Sequence, residues 1–241
     1  MAFGSLLVQQ RLNFQIQAGE VFVVMGGSGC GKSTLLRHLV GLLEPTAGEV
    51  MHSGESFTGS SKAARERMVR KCGVLFQQGA LWSNLTLAEN VALPLKEYSQ
   101  LGLRAIREMV RFKLALVGLQ GFEDFYPSKI SGGMRKRAGL ARAMALDPEI
   151  LLFDEPSAGL DPVTSQRLDE TILKIRDSLG TTVVIITHEL SSLYAVADRA
   201  LFLDAEEKTM TALGPPLELL KNPPNERVEA FLTRNGTERI S

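Results

Sequence analysis

Residues 21–34 read VFVVMGGSGCGKST, and this stretch decides the fold. The run VFVVM (21–25) is apolar without alternation, as a strand covered on both faces reads. GGSGCGKST, Gly26 to Thr34, follows at once and fits the pattern G-x-x-x-x-G-K-[ST]. A helical pattern, KSTLLRHLVGLL, comes next. Glycines let the backbone curl around a phosphate chain while successive N–H groups point inward at it. Gly26, Gly27, Ser28, Gly29, Cys30, Gly31, Lys32, Ser33 and Thr34 are therefore the candidate cradle. Lys32 is the residue to reach the outer phosphates, and Ser33 carries the hydroxyl that can ligate Mg²⁺. A Gly-rich turn that merely caps a helix accounts for neither the strand before it nor the order of residues within it.

Working outward, further apolar runs bounded by Gly, Pro and Asp read as buried strands: GVLF (73–76), ILLF (150–153), TVVIIT (182–187) and ALFL (200–203). Helical patterns separate them, so the fold class is α/β with a mostly parallel sheet covered on both faces. The stretch 79–146 breaks the rhythm. TLAENVALPL, RAIREMVRFKLALVGL and GMRKRAGLARAMAL have helical spacing and no strand between them, which reads as an inserted helical lobe. The expected division is a core at 1–78 and 147–215 with an antiparallel edge sheet, the lobe at 79–146, and a Pro-punctuated tail at 216–241. Within the core, LLVQQRLNFQIQAGE alternates weakly, as an edge strand or hairpin does. The tail reads as two short helices and a frayed end.

Composition narrows the classes. The 241 residues are 44% hydrophobic and 22% charged, ordinary for a globular chain with a sizeable core. Lys+Arg and Asp+Glu both number 27, so no overall field favours nucleic acid or an anionic membrane. Two cysteines, Cys30 and Cys72, suggest a reducing compartment rather than a disulfide scaffold. No apolar run reaches the ~18 residues of a membrane span, and MAFGSLLVQQ does not read as a leader. Any membrane role is expected to run through a partner.

Other motifs fall on the same sheet edge. ILLFDEP (150–156) is an apolar strand ending in two carboxylates, which alternation points in different directions. Asp154 can then complete a Mg²⁺ shell while Glu155 polarises an attacking water. His188 ends TVVIITHEL at the carboxyl edge of a parallel sheet, where ligands bind and where the phosphate loop also opens. Gln77, in VLFQQGALW, opens the helical lobe and means little alone. ISGGMRKRAGLARAMA (130–145) presents a puzzle: Ser131-Gly132-Gly133 is a second helix start with exposed N–H groups, followed by Arg135, Lys136, Arg137 and Arg142.

Taken in order, Gly26–Thr34, Gln77, Ser131–Met134, Asp154–Glu155, Ser157–Asp161 (SAGLD) and His188 have the spacing of an ABC-type ATPase, which the chain resembles over essentially its whole length. That resemblance implies ATP and Mg²⁺ as cofactors, with Ser33, Gln77 and Asp154 around the metal and Glu155, His188 and Gln77 in catalysis. It implies two cassettes packed head to tail, so that Ser131, Gly132 and Gly133 of one copy contact a phosphate held by the other. Asp161 then lies where the copies communicate. Arg135 is expected near the nucleotide, and Lys136, Arg137 and Arg142 on a solvated helix face. Adenine in this family stacks on an aromatic residue, whose position here falls on Phe3. The strand normally preceding that residue is absent: the sequence starts late, is trimmed, or forms an edge sheet one strand short. Met134 stands where most of the family has Gln.

SGGMRKRAGLARAMA, FDEPSAGLDPVTS and NPPNERVEAFL further resemble the ATPase of Mla/MCE-type phospholipid transport systems. This implies permease subunits, an MCE-domain lipid-binding protein and a small STAS-domain protein as partners, with no nucleic acid. The location implied is the cytoplasmic face of a bacterial inner membrane. An importer ATPase of another substrate class, such as osmoprotectant uptake, also carries SGGM. A soluble chromosome- or ribosome-directed ATPase is disfavoured by the absence of a heptad insertion and of net charge.

Overall fold

In the computed structural model, which describes residues 1–4, 6–77 and 79–233, the run at 21 becomes a six-residue strand with every residue buried. The strands are β1 (Ala2–Phe3), β2 (Leu6–Leu7), β3 (Val21–Gly26), β4 (Met51–His52), β5 (Glu55–Ser56), β6 (Cys72–Leu75), β7 (Ile150–Asp154), β8 (Thr182–Ile186), β9 (Arg199–Asp204) and β10 (Thr209–Gly214). The helices are α1 (Lys32–Leu39), α2 (Lys62–Arg70), α3 (Leu87–Tyr98), α4 (Leu103–Leu116), α5 (Gly132–Ala143), α6 (Pro162–Leu179), α7 (Leu190–Val196), α8 (Pro216–Lys221) and α9 (Glu226–Thr233). One sheet runs in the order β10-β9-β3-β8-β7-β6. All its pairings are parallel except β10 on β9, an antiparallel edge.

β3 shows why the sheet must be sandwiched. Phe22 and Val24 face a cluster with Leu35, Leu36 and Val40 of the α1 segment. Val21, Val23 and Met25 face the opposite way, into a larger cluster that includes residues of α3 to α7 and α9. A period of two distributes one strand between two cores. Because the strands are parallel, their carboxyl ends share one edge, and Gly26, Leu75, Asp154, Ile186 and Asp204 all end strands there.

Between β6 and β7 the described residues form α3, α4, a short 3₁₀ turn at Pro127–Lys129 and α5, with no strand. Thr86 and Glu89 close a capping box at the start of α3. Asn90, fully buried, donates to the carbonyls of Trp82, Leu85 and Thr86 and accepts from the Trp82 N–H, fixing the entry to that helix.

The edge elements depart from the sequence reading in detail. The weak alternation before β3 gives a hairpin only at its start, where Leu6–Leu7 pairs antiparallel with Ala2–Phe3, and no ladder with the main sheet. Leu12, Phe14 and Ile16 do pack inward as alternation requires, Phe14 stacking on Phe22 at 5.7 Å, but the backbone of residues 8–20 joins no sheet. β10 and α2 were not foreseen. TMTALG has too few large apolar residues to stand out, and KAARERMVR buries only Met68. The expected frayed end, 234–241, lies outside the described residues.

α5 meets β6 closely enough to exclude a side chain. A Cβ on Gly73 would sit 2.2 Å from the Ala143 carbonyl oxygen and 2.8 Å from Leu151 Cδ2. Gly73→Ala should therefore force β6 and α5 apart, costing about 1–3 kcal/mol as overpacking does and lowering the melting temperature by roughly 2–10 °C. An unchanged thermal unfolding curve would disprove this close approach.

Candidate active site

The phosphate loop is shaped by what its glycines avoid. Gly31 has φ +96°, and a Cβ there would meet Val8 Cγ1 at 2.7 Å. Gly26 would place one 2.4 Å from the Leu203 carbonyl oxygen. Gly27, Ser28, Gly29 and Ser33 form the exposed rim, Thr34 is half-buried behind it, and Cys30 and Lys32 are buried beneath it. Lys32 Nζ donates to the carbonyls of Gly26 (2.9 Å) and Gly27 (3.0 Å), so the ammonium lies inside the curl of its own loop. The Cys30 thiol, 3.8 Å from that ammonium, has its pKa raised by burial, with Lys32 opposing. Its position is that of a small packed side chain.

Two strand ends complete the edge. Ser33 Oγ donates to Asp154 Oδ1 at 3.2 Å, joining the loop to β7. Glu155 follows in a left-handed conformation, φ +51°, which costs a residue with a Cβ roughly 1–3 kcal/mol. That turn swings its carboxylate away from Asp154 and against His188. His188 Nδ1 lies 2.8 Å from Oε1 and as close to Oε2, an astride placement that leaves Oε2 buried without an aligned donor. The imidazole itself is largely exposed. Gln77 is exposed in the turn after β6; the pairing of Leu75 with Phe153 sets that turn beside the end of β7.

Ser33 and Asp154 offer a hydroxyl and a carboxylate, and among the described residues no group of three His, Cys, Asp or Glu could hold a metal alone. This donor set fits Mg²⁺, which favours one or two protein oxygens plus water and phosphate over a full protein cage.

Ser131 caps α5, accepting from the Met134 N–H at 3.2 Å. Asp161 caps α6, accepting from Thr164 N at 3.1 Å and Thr164 Oγ1 at 2.6 Å, and those bonds hold its carboxyl below the usual range. The two caps share a neighbour: a Cβ on Gly133 would lie 2.5 Å from Thr164 Cγ2. Ser131 and Gly132 are exposed. Among the described residues no hydrogen bond joins this pair of helix starts to the phosphate loop. Phe3 lies in β1 opposite Leu6, and its side chain is outside the described residues.

The solvated face expected for Lys136, Arg137 and Arg142 is not there. Lys136 is buried and donates to the carbonyls of Glu155 (3.4 Å) and Ala158 (2.5 Å). Arg137 donates to those of Val117 and Gly118, and Arg142 to those of Gly79 and Ala80. Backbone carbonyls in tight turns need donors, and these cations supply them. Three more residues went unread. Gln9, fully buried, donates to the carbonyls of Cys30 and Asp204 at 2.8 Å each; nothing in LVQQR marks it. Ser192 Oγ donates to Asp169 Oδ2 at 2.9 Å and lies 3.4 Å from Ser157 Oγ, all three buried. Their polarity within apolar helical spacing was the available signal.

Comparison with known proteins identifies the family. Residues 9–158 match the family described as ABC transporter. The chain is 40% identical over 232 residues to the glycine betaine transport ATP-binding protein OpuAA of Bacillus subtilis, covering 96% of this chain and 55% of that protein. It thus spans little more than half of that relative's length. It is 37% identical to the intermembrane phospholipid transport system ATP-binding protein MlaF of Escherichia coli, covering 95% of this chain and 84% of MlaF. Among solved structures, the dimeric post-hydrolysis state of the ATP-binding cassette MJ0796 bound to ADP and Pi matches with a TM-score of 0.78 at 30% identity, covering 86% of this chain and 90% of that one.

Asp169 gives the site a measurable pH signature. Burial, reinforced by Glu189, pushes its carboxyl up to about 6. The folded state then holds this proton more tightly than the unfolded chain, whose Asp titrates near pH ~3.9. Its contribution to stability is greatest in acid, declines as pH rises from about 4 to about 6, and levels off above. Asp169→Asn cannot titrate, so the parent-minus-variant difference in unfolding free energy should fall across that window and be flat above pH ~7. A difference independent of pH would refute the buried, protonatable carboxyl.

Proposed function

The chain belongs to the ABC transporter family as an ATP-binding, ATP-hydrolysing cassette, and from that premise we propose that it powers a permease moving phospholipid between membranes. The observation that carries the catalytic part is the grouping of Lys32, Ser33, Asp154, Glu155 and His188 on one sheet edge. Lys32, within the loop's curl, is placed to exchange its two carbonyl partners for phosphate oxygens. Gly26–Thr34 surround the phosphates with N–H groups. Ser33, Asp154 and Gln77 would hold Mg²⁺, which when bound neutralises charge on the phosphate oxygens.

Glu155 is the base. Its carboxylate accepts a proton from water as the water oxygen bonds to the γ-phosphorus and the bond to the bridging oxygen breaks, giving ADP and inorganic phosphate. His188 steadies that carboxylate through Nδ1 and turns Nε2 toward the γ-phosphate. Ser131, Gly132 and Gly133 serve the nucleotide of a second copy, which would make the two half-cradles whole only in an ATP-bound dimer. Asp161, beside Thr164 and Gly133, lies on that contact. Phe3 is proposed for the adenine face.

We assign residues 1–78 and 147–215 to the nucleotide-binding core, 79–146 to the lobe that grips the permease, and 216–241 to a tail. None of the described helices is long and apolar enough to cross a membrane, so contact with a bilayer on the cytoplasmic side would run through the permease. The phospholipid reading is supported by the SGGMRKRAGLARAMA and FDEPSAGLDPVTS phrases and by the relation to MlaF. An MCE-domain protein and a STAS-domain protein are the further partners it entails, and nucleic acid is none of them. The similarity to OpuAA supports a second reading, osmoprotectant import.

Capture of tagged Glu155→Gln protein with ATP from detergent-solubilised native membranes separates these readings. Co-purification of a permease with an MCE-domain protein supports phospholipid transport; a solute-binding protein in its place moves the substrate to the importer class. Glu155→Gln should lower kcat by about 10²–10⁴-fold, the usual worth of a general base, while ATP affinity persists; parental turnover would exclude Glu155 as the base. Lys32→Ala should weaken ATP binding roughly 10–100-fold, as loss of charge-assisted hydrogen bonds does, and parental affinity in equilibrium binding would show the loop misread.

A further inference from the structure

We propose that Lys136 is a positioning residue for the Glu155 carboxylate, tying the Ser131–Gly133 end of α5 to the turn that carries the base. The inference rests on Glu155 being that base and adds what sets its place. Lysine is almost never fully buried unless paired. Lys136 is 7% exposed, yet its ammonium makes no carboxylate ion pair within 4 Å among the described residues; it donates instead to the carbonyls of Glu155 and Ala158. Burial lowers its pKa, with Glu189 and Glu155 drawing it back up.

The first of those carbonyls belongs to a residue in the left-handed region, and the second ends the turn that follows it. Glu155, at φ +51°, holds a conformation that persists only where its surroundings over-determine it. Its N–H is fixed to the Ile186 carbonyl at 2.9 Å, and its carbonyl receives the Ala158 N–H at 3.2 Å as well as Lys136. Lys136 thus closes the turn from the side of α5, where the backbone alone does not reach.

α5 can act as one body in doing so. Arg137 pins it to the end of α4, and Arg142 pins it to the turn after Gln77. Gly139 and Gly79 bring the helix and that turn into contact: a Cβ on Gly139 would lie 2.9 Å from the Gly79 carbonyl oxygen. Ser131 and Lys136 stand about 7.5 Å apart along the axis. A displacement at the exposed helix start therefore reaches the Glu155 carbonyl through one side chain, and engagement of that start becomes a condition for aligning the base.

Steady-state ATP hydrolysis by the full-length chain tests this. Lys136→Met keeps the stem and removes the donors; it should lower kcat by roughly tenfold or more, as misplacement of a catalytic group does, with KM for ATP within about twofold of the parent. Lys136→Arg restores donors and should recover most of the loss. In the Glu155→Gln background Lys136→Met should cost nothing further, because it acts through that carboxylate. Should Lys136→Met fail to fold by thermal unfolding, Lys136→Gln, too short to span both carbonyls, carries the same comparison. Parental kcat in a folded variant, a rise in KM alone, or an undiminished loss in the Glu155→Gln background each overturns the proposal. Failure of the base assignment itself would show separately, as parental turnover by Glu155→Gln alone.

Discussion

The left-handed turn at Glu155 is the constraint around which the site is arranged. Strand β7 must end there, because a residue at φ +51° cannot continue a ladder. The turn sends Asp154 toward Ser33 and Glu155 toward His188, so two adjacent carboxylates reach different partners. Strain of this kind is unstable without support. It is supported from β8 through Ile186, from α5 through Lys136, and from α6 and α7 through the Ser157–Ser192–Asp169 contacts. β8, α5 and α7 therefore each have a bond into the loop that carries Glu155, and α6 joins it through Ser192.

A second tie runs beneath the phosphate loop. Gln9 holds the Cys30 carbonyl on one side and the Asp204 carbonyl on the other. Asp204, itself buried, accepts the N–H groups of Glu206 and Glu207 and a guanidinium bond from Arg227 of α9 at 3.0 Å. Hydrogen bonding to those groups and to Arg227 outweighs burial and keeps the Asp204 carboxyl below its ordinary range. Phe231 of the same helix meets Phe202 edge-on at 5.2 Å. Helix α9 is thus docked on the core beneath the loop.

What could be read from the sequence follows from the kind of force involved. Strands buried on both faces announce themselves as unbroken apolar runs, so the inner strands β3, β7, β8 and β9 were legible to within a residue or two, as was the edge strand β6. The phosphate loop was legible because its conformation demands glycine at fixed spacing. β10 and α2 were not legible: β10 is short of large apolar residues, and α2, though made of good helix formers, buries only Met68 and so shows no apolar stripe. Polar residues acting on backbone carbonyls were the other blind spot. Arg142 looks the same on paper whether it faces water or closes the turn at Gly79 and Ala80, since its partners have no side-chain signature. Lys136 and Gln9 were missed for the same reason.

The departure at Met134 is instructive in this light. Its side chain packs against the cluster between the helices, while its N–H is spent on the Ser131 hydroxyl. The N–H groups of Gly132 and Gly133 belong to the first turn of α5 and have no partner within the helix. Ser131, already an acceptor, keeps its own proton to donate. What this helix start can offer an anion is consequently backbone and hydroxyl, with the side chain at 134 turned inward. A glutamine amide there would have to be buried against apolar neighbours or displaced toward solvent; methionine fills the same space with no polar group to satisfy. The structural constraint at this helix start falls on Ser131, which caps it, and on Gly133, where a Cβ would strike Thr164.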